Sequence, residues 1–249
     1  MTLQAKQGIA VSAATVRRWL HEIGWVWKRA KLVAKDDAPQ RIERLASMRC
    51  PHETLHAHEV MLCAEALDMH LLPKVGAAWM PQGTQEEVRT PGKHEQYSLA
   101  GALHLATGTL LHGLGPRKNN GLLRDLLTLL DRTYPTPRVT RIDVVVDNDC
   151  MHQAQAVKKW LASPPRFALL WFPTYCPRAN PIERAFGDVH DKCTRNHQRK
   201  RLPAVVYDVV QHRRNNGPWK YHVSRLYQDP EVTAAVEHMA LEAHAKLAA

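Results

Sequence analysis

The sequence has few cysteines and no long apolar segment. Its five cysteines are widely spaced and form no C-x-x-C motif, which argues against a zinc ribbon and against a disulfide framework. The N-terminus shows no apolar signal core, and no apolar run approaches the length of a membrane span. We therefore expect neither a disulfide-rich secreted scaffold nor a membrane protein, and we expect a cytoplasmic location.

Acidic residues are fewer than basic ones. The chain has 34 Lys and Arg against 24 Asp and Glu, which gives a formal net charge of +10. This balance favours polyanionic partners such as nucleic acids, although ribosomal, membrane-surface and merely soluble basic proteins share it. With 249 residues, 45% of them hydrophobic, the chain can bury the core of one large domain, or of one domain plus a small one.

The N-terminal part combines a short helix with a basic segment. Val16, Leu20 and Ile23 are spaced as one apolar stripe of a helix. Ser12 is a suitable N-cap and Gly24 a suitable stop, so we predict that the helix lies between them. The pattern is typical of the end of a helix-turn-helix or winged-helix unit, and equally of a plain amphipathic surface helix. The candidate DNA-binding residues here are Arg17, Arg18, Lys28 and Arg29.

From about residue 57, strand patterns precede an alternation of helices and strands. The predicted strands are Glu59–Ala66, Ala77–Gly83, Tyr97–Ala106, Thr109–Leu114, Arg141–Asp147 and Phe167–Phe172. The predicted helices are 37–49, 119–132, Met151–Ala162, Asn180–Asn196, Pro203–Arg214 and one that starts at Asp229-Pro230 and runs through Ala245. This order predicts an α/β fold with a mixed sheet flanked by helices, and ribonuclease-H-like folds have it.

Three acidic residues follow strands or begin a helix. Asp147 ends a nearly all-apolar strand, where α/β sheets build their sites, although it or a neighbour would also serve as a helix N-cap. Glu183 falls where a capping-box glutamate would follow Asn180, so a capping role competes with a metal-binding role. Glu65 lies near the end of the first predicted strand, and strand alternation points Asp68 to the other face. Three such carboxylates brought together would suit a hard divalent cation.

Three blocks of the sequence resemble mariner-like insertion-sequence transposases of bacteria. They are Asp68–Gly83, Val146-Asp147-Asn148 with His152, and Pro173-x-Tyr175-x-Pro177-x-x-Asn180-Pro181-Ile182-Glu183-Arg184. The last motif is highly specific, and the resemblance covers roughly residues 10–215. It implies a ribonuclease-H-like DDE endonuclease domain in which three acids hold two Mg²⁺ or Mn²⁺ ions. Such a protein cuts and rejoins double-stranded DNA at terminal inverted repeats and in target DNA.

Carried onto this chain, the resemblance makes Asp147 the second acid and Glu183 the third. The family usually has Asp-Glu-x-Asp at the first acid, and this chain has Glu65-Ala66-Leu67-Asp68, which puts Glu65 in that position. Glutamate keeps the charge but adds a methylene, and productive metal geometry tolerates only roughly 0.5 Å. The implied catalytic and metal-binding residues are Glu65, Asp147 and Glu183, with Asp68, Asn148, His152 and Asn180 as supporting residues.

A basic run follows the Glu183 helix. Its members Arg195, Arg199, Lys200 and Arg201 are candidates for contacts with the DNA backbone, although charge runs are often simply solvated faces. We expect three parts: a partial DNA-binding segment with a linker helix over residues 1–52, a catalytic domain over 53–215, and a helical tail over 216–249. The resemblance implies a homodimer on paired DNA ends, associated with the bacterial nucleoid and not with a membrane.

Two rival functions are left open by the sequence. The first is a truncated, catalytically impaired transposase that binds DNA without cutting it, because the first acid is Glu65 and a complete three-helix unit needs more chain before the first helix. The second is a ribonuclease-H-like nuclease acting on RNA–DNA hybrids, which shares the metal chemistry but does not account for the Asn180-Pro181-Ile182-Glu183 motif.

Overall fold

The chain divides into two units, residues 1–35 and residues 36–249. The structure is a computed structural model, and it describes residues 11–26, 38–78, 80–85, 87–147, 154–162, 166–172, 179–219 and 225–247. Lys28, Arg29, Asn148 and His152, which the sequence singles out, lie outside these residues, as does the segment 173–178 of the third motif.

In the first unit, helix α1 spans Ala13–Glu22 and confirms the predicted helix. The hydroxyl of Ser12 accepts a hydrogen bond from the backbone N–H of Thr15 at 3.1 Å, which caps the helix. Gly24 ends it in the left-handed conformation, with φ +79°. Two residues of the apolar stripe are exposed: Leu20 is 39% and Ile23 66% accessible, while Val16 is half-buried.

The second unit contains a five-stranded sheet and its helices. The strands are β1 (Glu59–His70), β2 (Gln96–His104), β3 (Leu110–Gly115), β4 (Arg141–Val146) and β5 (Phe167–Trp171). The helices are α2 (Ala38–Thr54), α3 (Asn120–Thr133), α4 (Gln155–Leu161), α5 (Ile182–Val189), α6 (Leu202–Asn216) and α7 (Pro230–Leu247). A π-helical turn, His190–Thr194, extends α5, and a 3₁₀ turn, Arg225–Gln228, precedes α7.

The sheet is mixed, with strand order β3-β2-β1-β4-β5. The consecutive strands β1, β2 and β3 pair antiparallel, and β4 and β5 extend the other edge in parallel with β1. β1 is therefore the central strand, bonded to β2 along most of its length and to β4 along its first half. This is the mixed α/β sheet that the order of sequence patterns predicts.

Alternation along β1 separates two hydrophobic layers. Met61, Cys63 and Leu67 point to one face, where α2, α5, α6 and α7 cover the sheet. Leu62 and Ala64 point to the other face, where α3 and α4 cover it. With both faces covered, the central strands are almost wholly apolar, as expected for a sheet buried on both sides. In the part of the chain that the structure describes, no helix is long and apolar enough to cross a membrane.

Two strand predictions from the sequence are wrong. The residues of 77–83 that the structure describes form no strand: all of them except Met80 are exposed, and they do not belong to the five-stranded sheet; only the turn at Gly83 is confirmed, with φ +83°. The first strand was expected to end at Ala66, but β1 continues to His70 because its second half pairs with β2 as far as Gln96. Glu65 is consequently an interior residue of β1.

Candidate active site

Glu65 lies inside β1 on the face covered by α5, with a side chain 13% exposed. Its Oε2 accepts a hydrogen bond from the amide Nδ2 of Asn180 at 3.2 Å. Its Oε1 accepts one from the backbone N–H of Ala66 at 3.2 Å and lies 3.9 Å from the Nζ of Lys118. The carboxylate is thus held by two hydrogen bonds and one ion pair, from Ala66, Asn180 and Lys118.

Asp147 follows directly after β4, the parallel neighbour of β1. The last paired residues of the two strands are Cys63 and Val145, which belong to the same hydrophobic layer. Glu65 and Asp147 each come two residues later, so they point to that same face from adjacent strands. Parallel pairing therefore brings together two acids that are 82 residues apart in the sequence.

Glu183 occupies the first turn of α5, which is anchored on the same face by buried Ile182 and Phe186. Asn180, only 4% exposed, starts this helix: its carbonyl accepts from the N–H of Glu183 at 3.2 Å and its Oδ1 accepts from that of Ile182 at 3.3 Å. The same side chain donates to Glu65. Asn180 therefore satisfies two backbone N–H groups at the start of α5 and links this helix to the first acid.

The three carboxylates influence one another electrostatically. Burial and, after it, the negative charge of Asp147 together raise the pKa of Glu65 to about 7, against the opposing effects of the bond from Ala66 and the cation of Lys118. Burial and Asp147 also raise the pKa of Glu183, and Lys118 again opposes. Asp147 thus acts on both glutamates, and Glu183 also acts directly on Glu65.

The donor set fits a hard divalent cation. Mg²⁺ and Mn²⁺ prefer carboxylate oxygens, and these three acids lie close enough to disfavour each other's ionisation, a repulsion that a cation would remove. Among the residues that the structure describes, however, no three Asp, Glu, His or Cys side chains form a ready-made metal cage. Binding would therefore require the carboxylates to draw closer together than they stand here.

Other residues singled out by the sequence lie elsewhere. Asp68 points to the opposite face of β1, where its Oδ1 accepts a hydrogen bond from the hydroxyl of Ser98 on β2 at 2.5 Å. The structure does not bring it together with Glu65. Arg17 and Arg18 belong to the first unit, where Arg18 lies 3.8 Å from Glu22 one turn further along α1.

The basic run after α5 is exposed and partly paired. Arg195 forms an ion pair with Asp191 at 2.7 Å, and Arg199 forms one with Asp208 at 2.7 Å. Lys200 and Arg201 are exposed at the start of α6. Asn196 joins this run to the segment after β1, because its side chain accepts from the N–H of Gly76 at 2.9 Å and donates to the carbonyl of the same glycine at 3.0 Å.

Lys118 is the site residue that the sequence does not reveal. It lies 53 residues after Glu65 and 65 before Glu183, in no motif with either. The available signal is weak: a basic pair, Arg117-Lys118, comes directly before a helix capped by Asn119. Only the packing of α3 against the sheet places this lysine among the acids.

Solved structures share this architecture. A Mos1 mariner transposase paired-end complex with Mg matches 95% of this chain and 76% of its own with a TM-score of 0.61 at 16% identity. The catalytic domain of Mos1 mariner transposase matches 85% of this chain and 97% of its own with a TM-score of 0.54 at 13% identity. At such identities the likeness shows the fold alone. The second unit is thus a ribonuclease-H-like domain, as predicted.

The chain belongs to the DDE superfamily endonucleases, whose family profile matches residues 60–205. A winged helix-turn-helix profile matches residues 2–44, which include α1. An uncharacterized 39 kDa protein of insertion element IS630 from Shigella sonnei is 38% identical over 191 residues, or 77% of this chain and 55% of that protein. The chain therefore spans about half the length of that relative. The resemblance to insertion-sequence transposases seen in the motifs is confirmed.

Proposed function

We propose that the protein is a DNA transposase that cleaves and rejoins the ends of an insertion sequence with Glu65, Asp147 and Glu183 as its catalytic acids. The observation that carries the proposal is the meeting of the three acids: two from adjacent parallel strands, and one from a helix tied to the first acid by Asn180. Membership of the DDE endonucleases supports phosphodiester chemistry.

The three acids would hold two Mg²⁺ or Mn²⁺ ions. Asp147, which acts electrostatically on both glutamates, would hold the ions together with Glu65 and Glu183. Bound there, divalent cations would supply activation of a water or a 3′-hydroxyl and stabilisation of the leaving oxygen. Asn180 keeps Glu65 oriented, and the buried face of α5 holds Glu183 beside the sheet.

Double-stranded DNA would contact two basic regions. The exposed residues after α5 — Arg195, Arg199, Lys200 and Arg201 — would bind the phosphate backbone without reading its sequence. The winged helix-turn-helix segment, with Arg17 and Arg18 on α1, would position the protein on the terminal inverted repeats. As the resemblance implies, we propose that a homodimer holds two paired ends. We also propose the division into a DNA-binding segment over residues 1–52, a catalytic domain over 53–215 and a helical tail over 216–249.

The alternative function is DNA binding without cleavage. The observation that favours it is the first acid: Glu65 has one methylene more than the family's aspartate and is engaged by Asn180 and Lys118. A carboxylate displaced by more than about 0.5 Å from its productive position would slow the chemistry strongly. Binding of DNA and of divalent cations would both survive in such a protein.

Strand cleavage of a labelled duplex tests the proposal. The duplex carries the ends of the protein's own insertion sequence, and the proteins compared are the natural chain, Glu65→Asp and Asp147→Ala, each with Mg²⁺ and with Mn²⁺. We expect cleavage by the natural chain that Asp147→Ala abolishes. Cleavage by Glu65→Asp alone would establish the alternative, and no cleavage by either, with DNA binding intact, would refute the proposed activity.

A further inference from the structure

Lys118 lies within the acidic cluster, and the proposed function gives it no role. Its Nζ is 3.9 Å from Oε1 of Glu65, and its side chain is only 26% exposed. Its positive charge opposes the rise in the pKa of Glu65 and of Glu183, so it acts on two of the three acids. A lysine placed in this way resembles a built-in counter-ion more than a surface charge.

The backbone fixes the lysine at this position. Lys118 lies in the short turn between β3 and α3, directly before Asn119. The side chain of Asn119 accepts from the N–H of Leu122 at 3.0 Å and caps α3. The helix is in turn anchored by leucines that are buried against the sheet: Leu122, Leu123, Leu126, Leu127 and Leu130. The backbone of Lys118 is therefore fixed in place by a helix that is anchored in the hydrophobic core.

The surroundings strengthen the charge interaction. A cavity of about 10 Å³ lies beside Glu65 and Lys118, room for no more than about one water molecule. Its remaining wall is mostly apolar and consists of Ala64, Ala66, Ala100, Asn119, Leu122, Leu123 and Leu126. With little water between them, the ammonium and the carboxylates are less screened than a pair on the open surface.

We propose that Lys118 is a positioning residue of the acidic site that balances the charge of Glu65 and Glu183 until a divalent cation binds, and that it weakens that binding. The inference rests on the proposed function, because it assumes that the three acids take up the cation. An ammonium and a divalent cation that share the same carboxylates repel each other. The stabilisation that Lys118 gives to the metal-free protein is therefore lost when the cation binds. The loss appears as a weaker affinity for the cation, because stability and binding are thermodynamically linked.

The test is the affinity of the full chain for Mn²⁺, measured from the electron paramagnetic resonance signal of the free ion. We expect Lys118→Gln to bind Mn²⁺ about fivefold or more tightly than the natural chain. Lys118→Arg keeps the charge, and Arg117→Gln removes a neighbouring exposed charge; both should stay within about twofold of the natural chain. A purely structural role for Lys118 would loosen metal binding on substitution instead of tightening it.

Thermal unfolding gives the second readout. Without metal, Lys118→Gln should have a lower Tm than the natural chain, and saturating Mn²⁺ should remove most of the difference. Lys118→Met, which keeps the apolar stem against the leucine wall, provides the same comparison if the glutamine variant does not fold. If Lys118→Gln and Lys118→Met bind Mn²⁺ as tightly as the natural chain or more weakly, the inference about Lys118 is overturned, while the proposed function is not. Mn²⁺ binding that is absent from the natural chain, or that survives Asp147→Ala, overturns the proposed metal site itself.

Discussion

The unusual pKa of Glu65 predicts how the stability of the metal-free protein depends on pH. Burial and the charge of Asp147 raise this pKa from the ordinary value of 4.5 to about 7. Between pH 4.5 and about 7 the folded protein therefore holds a proton on Glu65 that the unfolded chain has released, and above pH 7 the carboxylate is charged in both states. Stability from this group is fully present below pH 4.5 and is lost as the pH rises through 7.

The size of the effect follows from the shift. A rise from 4.5 to about 7 corresponds to roughly 3 kcal/mol between the low-pH and high-pH limits, as an order of magnitude for a coupled site. Glu65→Gln removes the titration and keeps an uncharged side chain of the same length. The variant should therefore match the natural chain near pH 4.5 and exceed it in free energy of unfolding at pH 8 by up to about 3 kcal/mol.

Urea denaturation with EDTA, from pH 4.5 to 8, measures this difference. The comparison of natural chain and variant cancels the titrating groups that do not interact with Glu65, and Glu231→Gln, at the start of α7, serves as a control carboxyl. Saturating Mn²⁺ should reverse the order at pH 8, because the charged carboxylate is then a ligand. If the difference in free energy of unfolding between the natural chain and Glu65→Gln does not change with pH, the reasoning about burial and charge at Glu65 is refuted.

Three further predictions concern neighbouring features. Asn180→Ala should lower the free energy of unfolding by about 1–2 kcal/mol, because it removes the side-chain hydrogen bonds to the N–H of Ile182 and to Glu65; an unchanged urea midpoint would contradict this. Gly101→Ala should cost about 1–3 kcal/mol in the same assay, since its Cβ would stand 2.9 Å from the ring of Phe186, and full stability would mean that the ring has room to move. Lys200→Gln should weaken binding to duplexes of any sequence and reduce the salt slope by about one unit in fluorescence anisotropy; an effect confined to one sequence would exclude a backbone contact.

Hydrophobic periodicity and helix caps were sufficient to predict most helices and strands of the fold. The apolar run of β4, the leucine stripe of α3 and the Ser12 cap of α1 each appear in the structure where their patterns indicate. The segment 77–83 shows the limit of this reasoning, because apolar residues followed by a turn glycine look like a strand whether or not a partner strand is present. Strand pairing is a long-range property, and it also decides that β1 continues past Ala66.

The candidate site divides in the same way. The sequence by itself determined which acids are available, since Asp147 and Glu183 stand in recognisable motifs, and it left the choice between cap and ligand open at both. The tertiary structure added the second role of Asn180, whose side chain accepts from the N–H of Ile182 and donates to Glu65.

The tertiary structure alone decided what surrounds the acids. It placed Lys118 beside Glu65, turned Asp68 away from it and raised the pKa of Glu65. The physical reason is that residue type and local spacing are properties of the chain, whereas burial and the distance between charges depend on how β1, β4, α3 and α5 pack together. Chemical identity was therefore readable from the sequence, and electrostatic environment was not.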